Sequence, residues 1–521
     1  MPDQPPTRLR YPGLLIAAII ALAAVLRFWT IGSGLPYVVG ADEPDIMVRV
    51  LHMLRSGDFN PHGFYDYPTL TFYMQVAVAS ARFLAGAMAG DWTNLDHVWP
   101  GDFYLCARGL TALLSVVTVY VVYRAGTRWG TLTAIVAALA MAVQPQLVRE
   151  AHYALTDTPL TFFVAMTMLL SLCACETGRL RWFILAGAGA GLAAATKYNG
   201  GLAIIMPLAA ILHVGALGGR SLALFGVLAG AAGAFVAGAP YSLLDLPGFL
   251  NGFAALMQHY NQERHGLEPS GSVYAKHVAD WFSVSDPSGR HYRFTAWPAA
   301  ALITIGAFNV ATRAASGARL AQSLVLLLFP VTYFWFISNH SLVFARYAMP
   351  LLPAVCVAFG RGVELLWDAV PVWLLGTWTR RIARIALFLT LIPSALQAYW
   401  FDYDRRQVST TELAAQWLVE NVKPGEFVVI ESMAMTLPPA VHAENTLRLI
   451  SEPLEAYRNK GVTYLVSSST ETDKYFGNPA QYPGQLAAYK VLLQSTRLAT
   501  RFAPIKDERP GPTWQVLRIE K

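Results

Sequence analysis

Thr158–Lys197 reads TPLTFFVAMTMLLSLCACETGRLRWFILAGAGAGLAAATK, two apolar runs separated by a turn that carries Arg179 and Arg181. A helix that crosses a bilayer needs about 20 predominantly apolar residues. The runs 158–175 and 182–197 come close to that length, so the stretch reads as a membrane hairpin with a basic turn. The pattern repeats outward in both directions. Apolar spans are predicted near 13–31, 104–123, 131–147, 200–217, 221–239, 296–311, 321–338, 347–366 and 382–400. The chain has 521 residues, of which 55% are hydrophobic and 14% charged. A soluble domain carries about 25% charged residues, so a water-exposed fold would leave too much apolar surface uncovered. The expected fold is an α-helical polytopic membrane protein with about 11 transmembrane helices.

Charge placement sets the expected orientation. Cytoplasmic turns are enriched in Lys and Arg. With the N-terminus inside, Arg124/Arg128, Arg179/Arg181, Arg220, Arg313/Arg319 and Arg380/Arg381 all face the cytoplasm. The outside then receives the segment 32–103, the loop 148–157, the segment 240–295 and the tail 402–521. Leu14 to Trp29, after Arg8 and Arg10, reads as an uncleaved first span of a multi-pass protein of the cell's inner (plasma) membrane. Residues 69–90 are apolar as well, but a central Arg82 would cost about 2.5–3.5 kcal/mol in a span. They read as an amphipathic helix on the outer leaflet. The formal net charge of +6 belongs to this topology pattern and does not point to nucleic acid. The four cysteines lie in or beside apolar spans, where they pack rather than cross-link.

Two divisions are expected: a transmembrane domain over 1–401, with juxtamembrane helices in its outer loops 32–103 and 240–295, and a C-terminal extracytoplasmic α/β domain over 402–521. In the tail, Ser409-x-x-Glu412 is a capping box that opens a helix, and Pro424-Gly425 stops it. Strands are predicted at Phe427–Glu431, Thr463–Ser467 and Trp514–Ile519.

Ionisable side chains at the outer mouths of spans are costly to keep there, and they mark functional candidates. Asp42-Glu43 and Asp45 follow the first span. Adjacent carboxylates repel one another and suit a general base. Tyr65-Asp66-Tyr67 lies in the same outer loop and reads either as sugar contacts or as interfacial belt residues. Glu150, His152, Tyr153 and Asp157 crowd the next outer mouth, with Asp157 also suited to cap a helix. Lys197 with Asn199, and Arg346 with Tyr347, place cations on the outer side against the usual bias, which suits an anionic partner such as phosphate. In the outer segment 240–295, His259, Arg264 and His265 are candidates for shaping acceptor choice.

The order of these groups (DE at 42–43, YPTL at 67–70, REAHYALTDTPLTFF at 149–163, TKYNG at 196–200, PYSLLD at 240–245 and FARYAMPLLP at 344–353) resembles the bacterial branch of the GT-C superfamily. The likeness is to protein O-mannosyltransferases and the aminoarabinose transferase of lipid A, and it covers residues 13–400. It implies an integral-membrane transferase whose partners are a polyprenyl-phosphate sugar donor, membrane lipid and a protein, glycan or lipid acceptor. By the resemblance Asp42 is the catalytic base with Glu43 beside it, and Asp157 is a second acidic position that orients the base or acceptor. Lys197 and Arg346 would contact phosphate. No cofactor and no metal are implied. Asp45 and Tyr67 stand where the aminoarabinose branch has basic residues, which leans the reading toward a hydroxyl acceptor. The rival from another class is a flippase for a lipid-linked sugar. It calls for internal repeats and midplane charges, and neither is evident here.

Overall fold

A computed structural model of the chain describes residues 11–40, 42–95, 98–99, 101–214, 217–261, 271–285, 291–312, 317–339, 343–369, 377–506 and 508–520. Arg8, Arg10, Arg264, His265 and Arg313 lie outside the described residues. Two compact units are formed, neither contiguous in sequence. One comprises Met1–Trp29, Asp58–Met74 and Gly109–Trp400; the other comprises Thr30–Gly57, Gln75–Arg108 and Phe401–Lys521.

The helices of the first half are α1 (Pro12–Phe28), α2 (Glu43–Ser56), α3 (Leu70–Ala89), α4 (Gly101–Gly126), α5 (Thr131–Ala142), α6 (Pro145–Ala151), α7 (Asp157–Thr177) and α8 (Leu180–Thr196). Among the described residues six helices are long and apolar enough to cross a membrane, or up to eight if each bent pair is one span. Pro12–Phe28, Leu180–Thr196, Tyr198–Ile211 and Trp297–Thr312 are apolar but shorter. Helix α3 is continuous and long enough to cross despite Arg82, whose guanidinium is stacked 4.1 Å from the Trp92 ring centroid. A small antiparallel pair, β1 (Val284–Ser285) and β2 (His291–Tyr292), lies within the segment 240–295.

The spans expected as continuous at 131–147 and 382–400 are both broken. Helices α5 and α6 meet at a 53° bend. Pro145 has no N–H to continue the ladder, and the residue before a proline is driven out of helical geometry; Gln144 sits at ψ 117°. A break of this kind leaves carbonyls without intrahelical partners, which lipid cannot satisfy. Arg27 of α1 supplies them. Fully buried, it donates to the Ala142 and Met141 carbonyls at 2.8 and 3.1 Å and to Ser115 Oγ at 2.6 Å. Arg27→Leu therefore strands these acceptors, and a loss of about 2–5 kcal/mol is expected. It is read as a lowered unfolding temperature of the detergent-purified protein. An unchanged melt would remove this role.

Helix α8 packs on Leu217–Gly238 through Gly187 and Gly191. A methyl group at either position would run into the Val227 and Ala231 carbonyls, so the small residues are what let the two backbones touch.

In the second unit the tail forms a five-stranded sheet of β3 (Phe427–Ile430), β4 (His442–Asn445), β5 (Val462–Ser468), β6 (Arg497–Phe502) and β7 (Trp514–Arg518), in the order β4-β3-β5-β7-β6. The first three strands are parallel, and β7 runs antiparallel to β5 and β6. Successive side chains of β3 alternate between two cores. Val428 and Ile430 pack with Leu418 and Trp514, while Phe427 and Val429 pack with Leu449, Leu465 and Leu517. Ser409 caps the helix Thr410–Asn421 by accepting from the Glu412 N–H at 3.1 Å.

Glu431, 1% exposed, ends β3. It accepts from the Leu449 and Ser468 N–H groups at 2.9 and 3.1 Å, from Ser467 Oγ at 3.2 Å and from the Tyr489 hydroxyl. Burial raises its carboxyl above the ordinary value, although these donors pull the other way. A raised folded-state value means that the proton is held more tightly when folded. The linked stabilisation is full below the unfolded value near 4.5 and is lost as pH rises through the folded one. Relative to Glu431→Gln, the wild-type melting temperature should rise as pH is lowered from 7 toward 4.5. A pH-independent difference between the two proteins would count against the assignment.

Candidate active site

Asp157 opens α7. The helix is capped at Thr156, with Asp157 the first helical residue, so its carboxylate is turned to side chains rather than to the backbone. Lys197 Nζ donates to Asp157 Oδ1 at 2.8 Å, and Arg346 Nε lies 3.4 Å from Oδ2. Asp157 and Lys197 are buried, 3% and 6% exposed. The fold sets this up locally. Lys197 is the extended C-cap of α8, where the partial negative charge of a helix end favours a cation, while a carboxylate is favoured at the start of α7. Arg346 is carried by the 3₁₀ turn Ala345–Leu351, with its guanidinium 4.7 Å from the Phe344 ring centroid.

Aromatic faces complete the cluster. Lys197 Nζ lies 4.2 Å from the Tyr347 ring centroid and 6.0 Å from that of Tyr67. Both distances are within cation–π range. Glu150 of α6, itself buried, interacts electrostatically with Asp157, Arg346, Arg149 and Lys197. Gln146 Nε2 donates to it at 2.8 Å.

Several polar atoms here await partners. Asn199 Nδ2 donates to the Tyr333 hydroxyl at 3.0 Å, while Asn199 Oδ1 and Thr158 Oγ1 are buried without a hydrogen bond among the described residues. Such orphans are rare in native folds and need an explanation. They adjoin Lys197 and Asp157 in sequence, and a ligand with hydroxyl groups would satisfy them.

The other predicted residues take different places. His152, fully buried, caps α6 with Nδ1 donating to the Val148 carbonyl at 2.8 Å. Tyr153 is half-buried in the turn that follows. Tyr65 donates its hydroxyl to Asp245 Oδ2 at 3.3 Å and packs edge-on against Phe249. Burial, and then the Asp245 carboxylate, push its phenol up to about 12, so it stays protonated. Asp66 is exposed.

Asp42 and Glu43 belong to the other compact unit, and they are not equivalent. Glu43 is fully buried and held by both arms of Arg108, with Nη2 to Oε2 at 2.7 Å and Nε to Oε1 at 2.9 Å. It also accepts from the Gly40 N–H at 2.6 Å. The expected repulsive pair is thus a single ion-paired carboxylate beside Asp42, a half-buried residue at the N-cap of α2 that makes no side-chain capping bond. Sequence reading singled out Glu150 but missed Arg108 and Thr158. The signal for Arg108 was a lone arginine inside an apolar span, which calls for a buried acid. Among the described residues no three His, Cys, Asp or Glu side chains group closely enough to hold a metal ion.

Residues 102–243 match the family described as dolichyl-phosphate-mannose-protein mannosyltransferase. No curated protein sequence matches the chain at a significant level. Among solved structures, the fold is similar to the apo oligosaccharyltransferase of Archaeoglobus fulgidus, with a TM-score of 0.58 and 13% identity over 90% of this chain and 71% of that one. It is also similar to ArnT of Cupriavidus metallidurans bound to undecaprenyl phosphate, with a TM-score of 0.54 and 15% identity over 96% of this chain and 97% of that one. The family match covers residues 102–243, and the likeness to these two solved membrane transferases, which extends over 90% and 96% of this chain, is one of fold.

Proposed function

We propose that the protein transfers one sugar from a polyprenyl-phosphate donor to an acceptor hydroxyl on the extracytoplasmic face, with inversion at the anomeric carbon. In this reading the N-terminus is cytoplasmic and the tail domain lies outside. The observation that carries the proposal is the cluster of buried Lys197 and Asp157 with half-buried Arg346. Two cationic donors, Lys197 and Arg346, converge on one carboxylate, and such preorganised donors suit a departing phosphate. Asp157 is the group that orients the two cations. Asp42 is the base. The acceptor oxygen attacks C1, its proton passes to Asp42, and the bond from C1 to the phosphate oxygen breaks with its electron pair, leaving polyprenyl phosphate.

Two further observations support the reading. An apolar cavity of about 470 Å3, lined by Val278, Phe282, Ile303, Val331 and Phe334 among others, has the chemistry of an isoprenoid chain. Leu351 also lines it, on the 3₁₀ turn that carries Arg346. The orphaned Asn199 and Thr158 oxygens suit sugar hydroxyls.

An isotope-labelled polyprenyl-phosphate sugar, offered to the purified protein with candidate hydroxyl acceptors in liposomes, tests the proposal. Release of free polyprenyl phosphate with label on the acceptor is expected. Movement of intact donor across the bilayer would mark a flippase and end the proposal.

A further inference from the structure

In the C-terminal sheet, the amino ends of β5 and β6 and the carboxyl end of β7 surround an open cavity of about 520 Å3, lined by Arg458, Val462, Thr463, Arg497, Arg518 and Glu520 among others. Two of these arginines oppose each other directly. Arg497 on β6 is the register partner of Arg518 on β7, and like charges at paired positions of adjacent strands destabilise a sheet. Counter-charge is uneven, with Glu520 also lining the cavity. Arg518 has Glu426 at 3.8 Å and Arg458 has Glu455 at 2.9 Å, and Arg497 has no carboxylate within salt-bridge distance among the described residues. Stability alone does not account for three guanidinium groups gathered around one concavity.

We infer that this cavity is a second, non-catalytic binding site for an anionic saccharide, a sugar that carries a phosphate or carboxylate group. The guanidinium fork matches both anions with two parallel hydrogen bonds. Thr463 and Glu520 offer a hydroxyl and a carboxylate for sugar hydroxyls. The volume falls in the range of about 300–1,000 Å3 usual for ligand pockets and exceeds the needs of a bare phosphate. The site stands independently of the proposed transfer reaction.

The test is calorimetric titration of the full chain in neutral-lipid nanodiscs with glucose 6-phosphate, glucose and inorganic phosphate. Glucose 6-phosphate should bind at least about tenfold more tightly than either of the others. Binding should weaken by about tenfold or more in Arg497→Glu/Arg518→Gln and should persist in Lys197→Met. The single change Arg497→Gln is gentler and more diagnostic. It should weaken binding while raising the unfolding temperature, because it removes the repulsion across the strands. Equal binding of glucose or of inorganic phosphate would overturn the assignment. So would loss of the signal in Lys197→Met, which would move the ligand to the transfer site.

Discussion

Lys197→Met is expected to lower the turnover of sugar transfer by a factor of about 10²–10³, the usual loss when one preorganised donor to a developing anion is removed. The methionine keeps most of the aliphatic stem and so separates charge from packing. The same change leaves Asp157 buried with Arg346 as its cation. Breaking one side of a buried pair costs about 3–5 kcal/mol, so the single variant should also melt earlier. Lys197→Met combined with Asp157→Asn removes the stranded charge. It should recover much of the stability and none of the activity. Turnover is measured by release of polyprenyl phosphate and stability by thermal unfolding in the same detergent. Recovery of activity in the double variant would show that Lys197 serves only to hold Asp157.

Asp42→Asn should lower turnover by about 10²–10⁴, the range for loss of a general base, with little change in melting temperature. The isosteric amide keeps the shape of the side chain at this half-buried position. The neighbouring change Glu43→Gln should behave in the opposite way. It leaves Arg108 buried beside a neutral amide, and destabilisation by about 3–5 kcal/mol is expected. Any activity lost should follow the fraction unfolded. An Asp42→Asn protein with full transferase activity and normal expression would remove the base. If both variants lost stability equally, the distinction between a reacting and a supporting carboxylate would fall.

The two carboxylates show how far adjacency in sequence can mislead. Side by side, Asp42 and Glu43 read as a mutually repelling pair that raises a proton affinity. Arg108 lies 65 residues beyond Glu43, and no local pattern announces that the two meet. The same limit applies to Asp157. Its position before Pro159 reads as a helix cap, but the N-cap position falls on Thr156, and the carboxylate instead meets two cations from separate elements. In the tail, the strands that sit inside the sheet were legible because they are rich in β-branched, aromatic and other apolar residues. The edge strands β4 and β6 (HAEN and RLATRF) were not, because exposed edges tolerate polar residues.

Composition, apolar run length and the placement of arginines determined the membrane class of this chain, its helical character and the presence of a polar tail domain. Those properties depend on solvent transfer and helix period, which are sums over local residues. Tertiary structure decided which acid meets which base, how Arg27 repairs the break that follows α5, and which polar atoms remain unsatisfied. Such contacts join positions tens to hundreds of residues apart, and their energies exist only once packing has excluded water and lipid from between them.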